Sequence, residues 1–354
     1  MSLPCNVFTG LLRPFPAGHP WFSDIQRQVL DDAAHLGLFP EESPHGDFED
    51  FWEDAFRASA AVRACRDTGV PLRLAAEDEV PDPAVRLGPV SVAEEGAHAV
   101  DTLLTPDALR EHGHRLMTRA WVDMSEDTVR GIHDPSAEFE SQGAALADNE
   151  CPEDFYGALL WMWHRGVPEV VVKSAHRKTG VSRIHTAPDL ETLRASTSAD
   201  DQLCWTTTPD AAPMAGFLIQ EWVPMTYEYR FFIVDGCVVT GAGCVEEFTP
   251  LNRLGDTFDP QMRSHRGNGI AAATDSCVEE CPYLAQRYLD FIAPIARELP
   301  EGMNTVVVDV ALDARTDTPI IGEFNTLPNS GLYASDVHAV YRALVGADNR
   351  GYVT

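Results

Sequence analysis

The stretch Thr305–Tyr333, TVVVDVALDARTDTPIIGEFNTLPNSGLY, decides the reading of this 354-residue chain. Its first run, Val306 to Ala311, is rich in β-branched residues and reads as a strand. Asp309 is the one residue that breaks its apolar pattern. Asp313 to Pro319 follows, with Asp, Thr and Pro as turn formers. A second β run, Ile320 to Asn325, carries Glu323 and Asn325, two apart and therefore on one strand face. If the two runs pair as a hairpin, Asp309 joins them. Two carboxylates and an amide oxygen are hard donors of the kind Mg²⁺ takes, beside phosphate oxygens and water. The competing reading is a half-exposed hairpin whose acidic residues simply face water. What precedes the hairpin decides between the two.

Composition narrows the class. Apolar residues make up 44% and charged residues 23%, which fits a soluble globular chain long enough for two or three domains. No apolar run approaches the roughly 20 residues of a membrane span. The N-terminal MSLPCNVFTGLLRPFPAGHP lacks a basic segment followed by an apolar core, so no secretory signal is expected. Cysteines at 5, 65, 151, 204, 237, 244, 277 and 281 follow neither a disulfide framework nor a zinc spacing. A reducing cytoplasm is the expected compartment. The net charge of −29 repels polyanions and argues against nucleic acid as a partner.

Lysine usage carries more. Of 26 basic residues only Lys173 and Lys178 are lysines; the other 24 are arginines. A chain that avoids Lys yet keeps both copies within six residues points to a point charge for phosphate. The bland alternative is chance proximity.

Around them the chain reads as follows. Phe22–Leu38 and Phe48–Cys65 have helical spacing, Val7–Leu12 and Val70–Ala76 read as short strands, and residues 77–98 read as a surface connection. Thr105-Pro106-Asp107 is a helix start, and Arg115–Met124 is strand-like. Glu153–Arg165 is a helix packed by Phe155, Leu159, Met162 and Trp163. Val170–Val172 is a strand capped by Lys173, and Ser174–Ser182 is a basic loop whose Lys178, Arg177 and backbone N–H groups suit phosphates. Val181–Ile184 returns, and Pro188–Arg194 is a short helix. Phe217–Val223 and Glu228–Val234 are strands, and Asp235-Gly236 is a strong hairpin turn. Glu228 and Arg230 share a face, opposite Tyr229. Thr249–Gly269 is a long polar loop with Arg253, Arg263 and Arg266, which read evenly as substrate-binding or ordinary surface residues. Cys281–Leu299 is helical, with Pro294 expected to kink or shorten it. A last helix spans Ala334–Leu344.

The ordered set VVVK (170–173), QEWVPMTYEYR (220–230), VVVDVAL (306–312) and IIGEFNTLPNSGLY (320–333) resembles the ATP-grasp ligases, which include the D-alanine–D-alanine ligases and glutathione synthetases. The resemblance covers roughly residues 110–345. It implies an ATP-grasp fold of α+β and α/β character. An N-terminal α/β domain at 1–110 would precede two ATP-gripping subdomains, at 111–215 and 216–354.

The resemblance also implies roles. Lys173 would contact ATP, with Glu221 and Val223 on the hinge strand against adenine and Glu228 on the ribose. Asp309, Glu323 and Asn325 would hold Mg²⁺. Arg230 would face the transferred phosphoryl group or a substrate carboxylate, with Lys178 and Arg266 as further catalytic candidates. Ser330 and Gly331, at the start of the final helix, would offer N–H groups to a substrate anion. The family's additional upstream Lys has no counterpart; Arg119 stands about where it would be. The glycine-rich phosphate loop is replaced by SAHRKTG.

The implied reaction activates a carboxylate as an acyl phosphate, releasing ADP, and then joins it to an amine or similar nucleophile with loss of phosphate. Such transfer needs positioning and charge neutralisation more than covalent chemistry from the protein. A kinase-like phosphotransferase and a nucleotide-binding module without catalysis are the alternatives. The expected partners are a small-molecule carboxylate and amine, with no nucleic acid and no membrane; the resemblance also suggests a homodimer.

Overall fold

Short runs of β-branched and apolar residues near the N-terminus pair in parallel. In the computed structural model, β1 (Cys5–Phe8), β2 (Leu72–Leu74) and β3 (Ala84–Arg86) form a sheet of order β2-β1-β3, with helix α1 (Phe48–Thr68) between β1 and β2 in sequence. The structure describes residues 5–8, 48–69, 72–74, 84–86, 119–122, 132, 154–174, 181–200, 202–203, 217–245, 262–267, 278–299, 304–325, 327 and 330–350. The expected helices at Phe22–Leu38 and Thr105, Lys178 and Arg253 all lie outside them. β3 falls inside 77–98, which the three prolines make read as connection; three residues of that span pair with β1 instead.

Residues 110–224 form one compact unit, and residues 1–109 with 225–354 form the other. In the first, β4 (Arg119–Val122), β5 (Glu169–Ser174), β6 (Val181–His185) and β7 (Phe217–Glu221) make an antiparallel sheet of order β4-β7-β5-β6. Helix α2 (Phe155–His164) begins at Asp154, whose carboxylate accepts from the Gly157 N–H at 2.7 Å. Phe155 through Met162 are all buried, so this helix is apolar on every side. Trp163, expected in its core, is 38% exposed. The short helix is α3 (Leu190–Thr197), capped by Asp189. Strand β7 belongs to this unit because it is laddered between β4 and β5.

The second unit contains β8 (Met225–Val234), β9 (Cys237–Gly243), β10 (Arg263–His265), β11 (Val278–Glu280), α4 (Pro282–Glu298), β12 (Val306–Asp313), β13 (Thr318–Asn325) and α5 (Val337–Arg350). Its main sheet is antiparallel, of order β13-β12-β8-β9. Asp235 and Gly236 both take positive φ, 51° and 69°, as the tight β8–β9 turn demands. Tyr229 and Phe231 pack on Tyr288 of α4 with ring centroids 6.3 and 6.4 Å away. Leu284, Tyr288, Ile292 and Ile295 recur at helical spacing along the buried stripe of α4, and the helix runs unbroken through Pro294. Part of the expected polar loop 249–269 is strand: β10 pairs with β11, and the Ser264 hydroxyl donates to the Glu228 carbonyl at 2.7 Å. Among the described residues no helix is long and apolar enough to cross a membrane.

Candidate active site

Three neighbouring strands bring the charged residues together. Asp309 lies opposite Arg230 of β8 on one side and opposite Glu323 of β13 on the other. Residues directly opposite one another in an antiparallel pair share a face. Glu228 and Asn325, each two residues away along its strand, therefore join the same face.

That arrangement depends on a bulge. From the turn upward, Asp313 pairs with Thr318 and Val310 with Ile321, yet Asp309 pairs with Glu323, so Gly322 is the extra residue. In an unbulged register Gly322 would lie opposite Asp309, and Glu323 would face the other side of the sheet. A second shift, between Phe232 and Ile233, displaces β9 by one residue against β8. The Cys244 N–H consequently donates to the Glu228 carbonyl at 3.1 Å, which places the two residues side by side. A third irregularity in β8 has Tyr227 at φ 52°.

The guanidinium of Arg230 is clamped. Its Nε donates to Asp309 Oδ1 and its Nη2 to Oδ2, both at 2.7 Å, while Nη1 donates to the Gly331 carbonyl at 3.2 Å. Arg230 is 4% exposed and Asp309 is fully buried. Asn325 Nδ2 donates to Glu323 Oε1 at 3.0 Å and to Asp309 Oδ2 at 3.3 Å. Candidate ligand atoms of Glu228, Cys244 and Asp309 lie within 4.8 Å of one another. The ring of Tyr333, itself at φ 44°, lies with its centroid 5.0 Å from Arg230 Cζ.

Burial pushes the Asp309 carboxyl up, and the nearby Glu323 adds to this against the pull of the Arg230 guanidinium. Burial opposes the charge on Arg230, but the Asp309 carboxylate outweighs it and holds the guanidinium protonated. Burial, with the Glu228 and Asp309 carboxylates, pushes the Cys244 thiol well above its ordinary value. Burial and the neighbouring Cys244 also raise the Tyr333 phenol.

The donor set suits a hard divalent cation. Glu228, Glu323 and Asn325 are only partly buried. Asn325 turns its amide N–H groups toward the carboxylates. Asp309 gives one hydrogen-bonding direction per oxygen to Arg230, and a carboxylate has about four lone-pair sites. Asp309, Glu323, Asn325 and Glu228 thus gather on one face oxygen donors of the kind a hard divalent cation takes.

The remaining candidates lie on other elements. Lys173, half-buried, stands near the end of β5 opposite Leu218 and Val181. Glu221 ends β7 opposite Val170, the Trp222 N–H donates to the Glu169 carbonyl at 2.9 Å, and Val223 is buried. Arg119 opens β4 opposite Gln220. Arg266 is exposed, 3.7 Å from Glu279, which also accepts from the Tyr227 hydroxyl at 2.7 Å. Ser330 and Gly331 do not begin a helix. Helix α5 starts at Val337, with Asp336 accepting from the Ala339 N–H, and the carbonyls of Ser330 and Gly331 accept from Arg57 and Arg230.

Sequence reasoning missed Cys244, Tyr333 and Arg57. Only the alternation of β9 hinted at Cys244, and a turn-derived register places Gly243 beside Glu228 instead.

No family model and no curated protein matches the chain. Solved structures do. The D-alanine–D-alanine ligase from Bacillus anthracis complexed with ATP is 10% identical, over 99% of this chain and 98% of that one, with a TM-score of 0.42. The ATP-grasp ligase PsnB complexed with a phosphomimetic variant of its minimal precursor, Mg and ADP is 11% identical, over 98% and 100%, with a TM-score of 0.37. A RimK domain ATP-grasp protein from Sphaerobacter thermophilus is 12% identical, over 81% and 93%, with a TM-score of 0.37.

Proposed function

We propose that this chain is an ATP-dependent ligase that activates a small carboxylate as an acyl phosphate and joins it to an amine or a similar nucleophile. The observation that carries the reading is the placement of Asp309 directly between Arg230 and Glu323 on adjacent strands, with Glu228 and Asn325 on the same face. Oxygen donors gathered on one face beside a fixed cation are the kind of groups that a triphosphate and its metal require. Lys173, Glu221 and Val223 keep the nucleotide roles that the resemblance assigns.

Bound to Asp309, Glu323, Asn325 and Glu228, Mg²⁺ would neutralise phosphate charge and align the phosphates. A substrate carboxylate oxygen attacks the γ-phosphorus, and the bond to the β,γ-bridging oxygen breaks with its electron pair leaving on ADP. The amine nitrogen then attacks the carbonyl carbon, inorganic phosphate leaves with the C–O electron pair, and the amine proton passes to solvent. Arg230, held in place by Asp309, contributes a fixed positive field. Its bidentate pairing makes it a poor direct clamp on a mobile phosphate. The substrates are small molecules, and the acidic chain takes neither nucleic acid nor a membrane surface as partner.

A second reading, a nucleotide-binding module without turnover, rests on that same pair, because Arg230 already neutralises Asp309. Incubation with Mg-ATP and pooled carboxylic acids, amino acids and amines, with Glu323→Ala as control, separates the readings. ADP plus free phosphate, lost in the control, supports the ligase. ADP without free phosphate supports a phosphotransferase, AMP plus pyrophosphate sinks the mechanism, and Mg-ATP binding without turnover favours the module.

A further inference from the structure

Arg57 lies on α1, in the N-terminal third where the sequence carries no motif, and it is 3% exposed. Its Nη1 donates to the Leu327 carbonyl at 2.8 Å and its Nη2 donates to the Ser330 carbonyl, some 270 residues along the chain. The next carbonyl, that of Gly331, accepts from Arg230. Two buried guanidiniums from different elements therefore grip the segment that leaves β13 just after Glu323 and Asn325. Downstream, the Leu332 carbonyl accepts from the Ser335 hydroxyl at 2.6 Å, and the Asp336 N–H donates to Thr240 of β9 at 3.0 Å. Tyr333, held within this segment at φ 44°, lies over Arg230. A non-glycine residue in that region persists only where its surroundings determine it.

We infer that Arg57 is a positioning residue: it sets the backbone at Leu327 and at Ser330 and, through the adjoining Gly331 carbonyl, the plane of Arg230 against Asp309. A guanidinium presents donors in a fixed fork, which matches two carbonyls of one turn; an ammonium does not. With Arg57 removed, the Leu327 and Ser330 carbonyls each lose a guanidinium donor, and the Gly331 carbonyl, one of the three acceptors of Arg230, is less firmly set. The consequence for the cation site rests on the ligase reading above; the consequence for the segment does not.

The test compares the full chain with Arg57→Ala, Arg57→Lys and Asp67→Asn. Asp67 lies 3.2 Å from His338 of α5, so its variant loosens the α1–α5 contact without touching the segment. Amide hydrogen exchange is followed in peptides covering 327–336, and Mn²⁺ binding in the presence of ATP is followed by electron paramagnetic resonance. The expected result is exchange faster by about tenfold or more in Arg57→Ala, an intermediate rate in Arg57→Lys, and no change in Asp67→Asn. Mn²⁺ binding should weaken in the same order. Unchanged exchange in both Arg57 variants, or equal acceleration in Asp67→Asn, overturns the inference. Faster exchange with unaltered Mn²⁺ binding overturns the link to Arg230. If Arg57→Ala does not fold, Arg57→Lys decides by exchange alone. A wild-type chain that binds no Mn²⁺ with ATP counts against the ligase reading, while exchange still decides the role of Arg57.

Discussion

Arg230 and Asp309 face each other across adjacent strands and share two hydrogen bonds of 2.7 Å, with both groups withdrawn from water. Each is costly to bury alone, and each makes the other tolerable. Asp309→Asn leaves a buried guanidinium without its counter-charge. It should destabilise the chain by about 3–5 kcal/mol in urea unfolding, and Arg230→Met should do the same from the other side. The double variant Arg230→Met/Asp309→Leu should recover much of that loss. An additive double variant would show that the pair is not coupled as described.

Glu323 is only partly buried, so its loss acts on ligands more than on folding. Glu323→Ala should leave the unfolding midpoint nearly unchanged and weaken Mn²⁺ binding in the presence of ATP by at least about tenfold. Titration followed by electron paramagnetic resonance reads this directly. Undiminished affinity would remove Glu323 from the cation site.

The alkaline limb of stability carries a sign that can be checked. Cys244, Tyr227, Tyr288 and Tyr333 all have acid groups raised by burial above their ordinary values of 9.0 for the thiol and 10.0 for the phenols. Between the unfolded and folded values the native state binds more protons than the unfolded one, so stability falls as pH rises. The contribution is complete below pH 9 and is lost progressively above it. Thermal melts should therefore decline steadily above that point, and Tyr333→Phe, which removes one such group, should flatten the decline. A melt that is level between pH 9 and 11 contradicts this account.

Gly243 is a point of close approach. A Cβ there would lie 1.9 Å from the Arg263 carbonyl oxygen, so even alanine forces β10 away from β9. Gly243→Ala should destabilise by about 1–3 kcal/mol, as overpacking does. It should also loosen the Ser264–Glu228 hydrogen bond, visible as faster exchange across β10 and β11. Neutral behaviour would mean that β10 is not seated on β9.

Local chemistry made much of this chain legible. The β-branched runs from Val306 and Ile320, the Asp235-Gly236 turn, the strand ending near Lys173 and the apolar stripe of the helix after Cys281 are each written in adjacent residues. They sufficed to expect the last hairpin and to group Asp309, Glu323 and Asn325 as oxygen donors, whereas the roles of Glu228 and Arg230 came from the resemblance to the ATP-grasp ligases. Pro294 misled because its rule is local, whereas packing of Tyr288, Ile292 and Ile295 holds the helix on both sides of it.

What only the tertiary structure decided is register and long-range partnership. A strand's side chains alternate with period two, so a single inserted residue moves everything beyond it to the other face. Gly322 is such an insertion, and it puts Glu323 beside Asp309; the shift in β9 puts Cys244 beside Glu228. Neither can be read from the turn outward, because a bulge is chosen by the packing of the whole sheet. The Arg57 contacts span about 270 residues and depend on α1 meeting the segment after β13, which no neighbouring residue specifies. The sequence by itself determined which groups were available for chemistry. The fold determined which of them meet, because that depends on strand offset and on contacts closed only when the chain is packed.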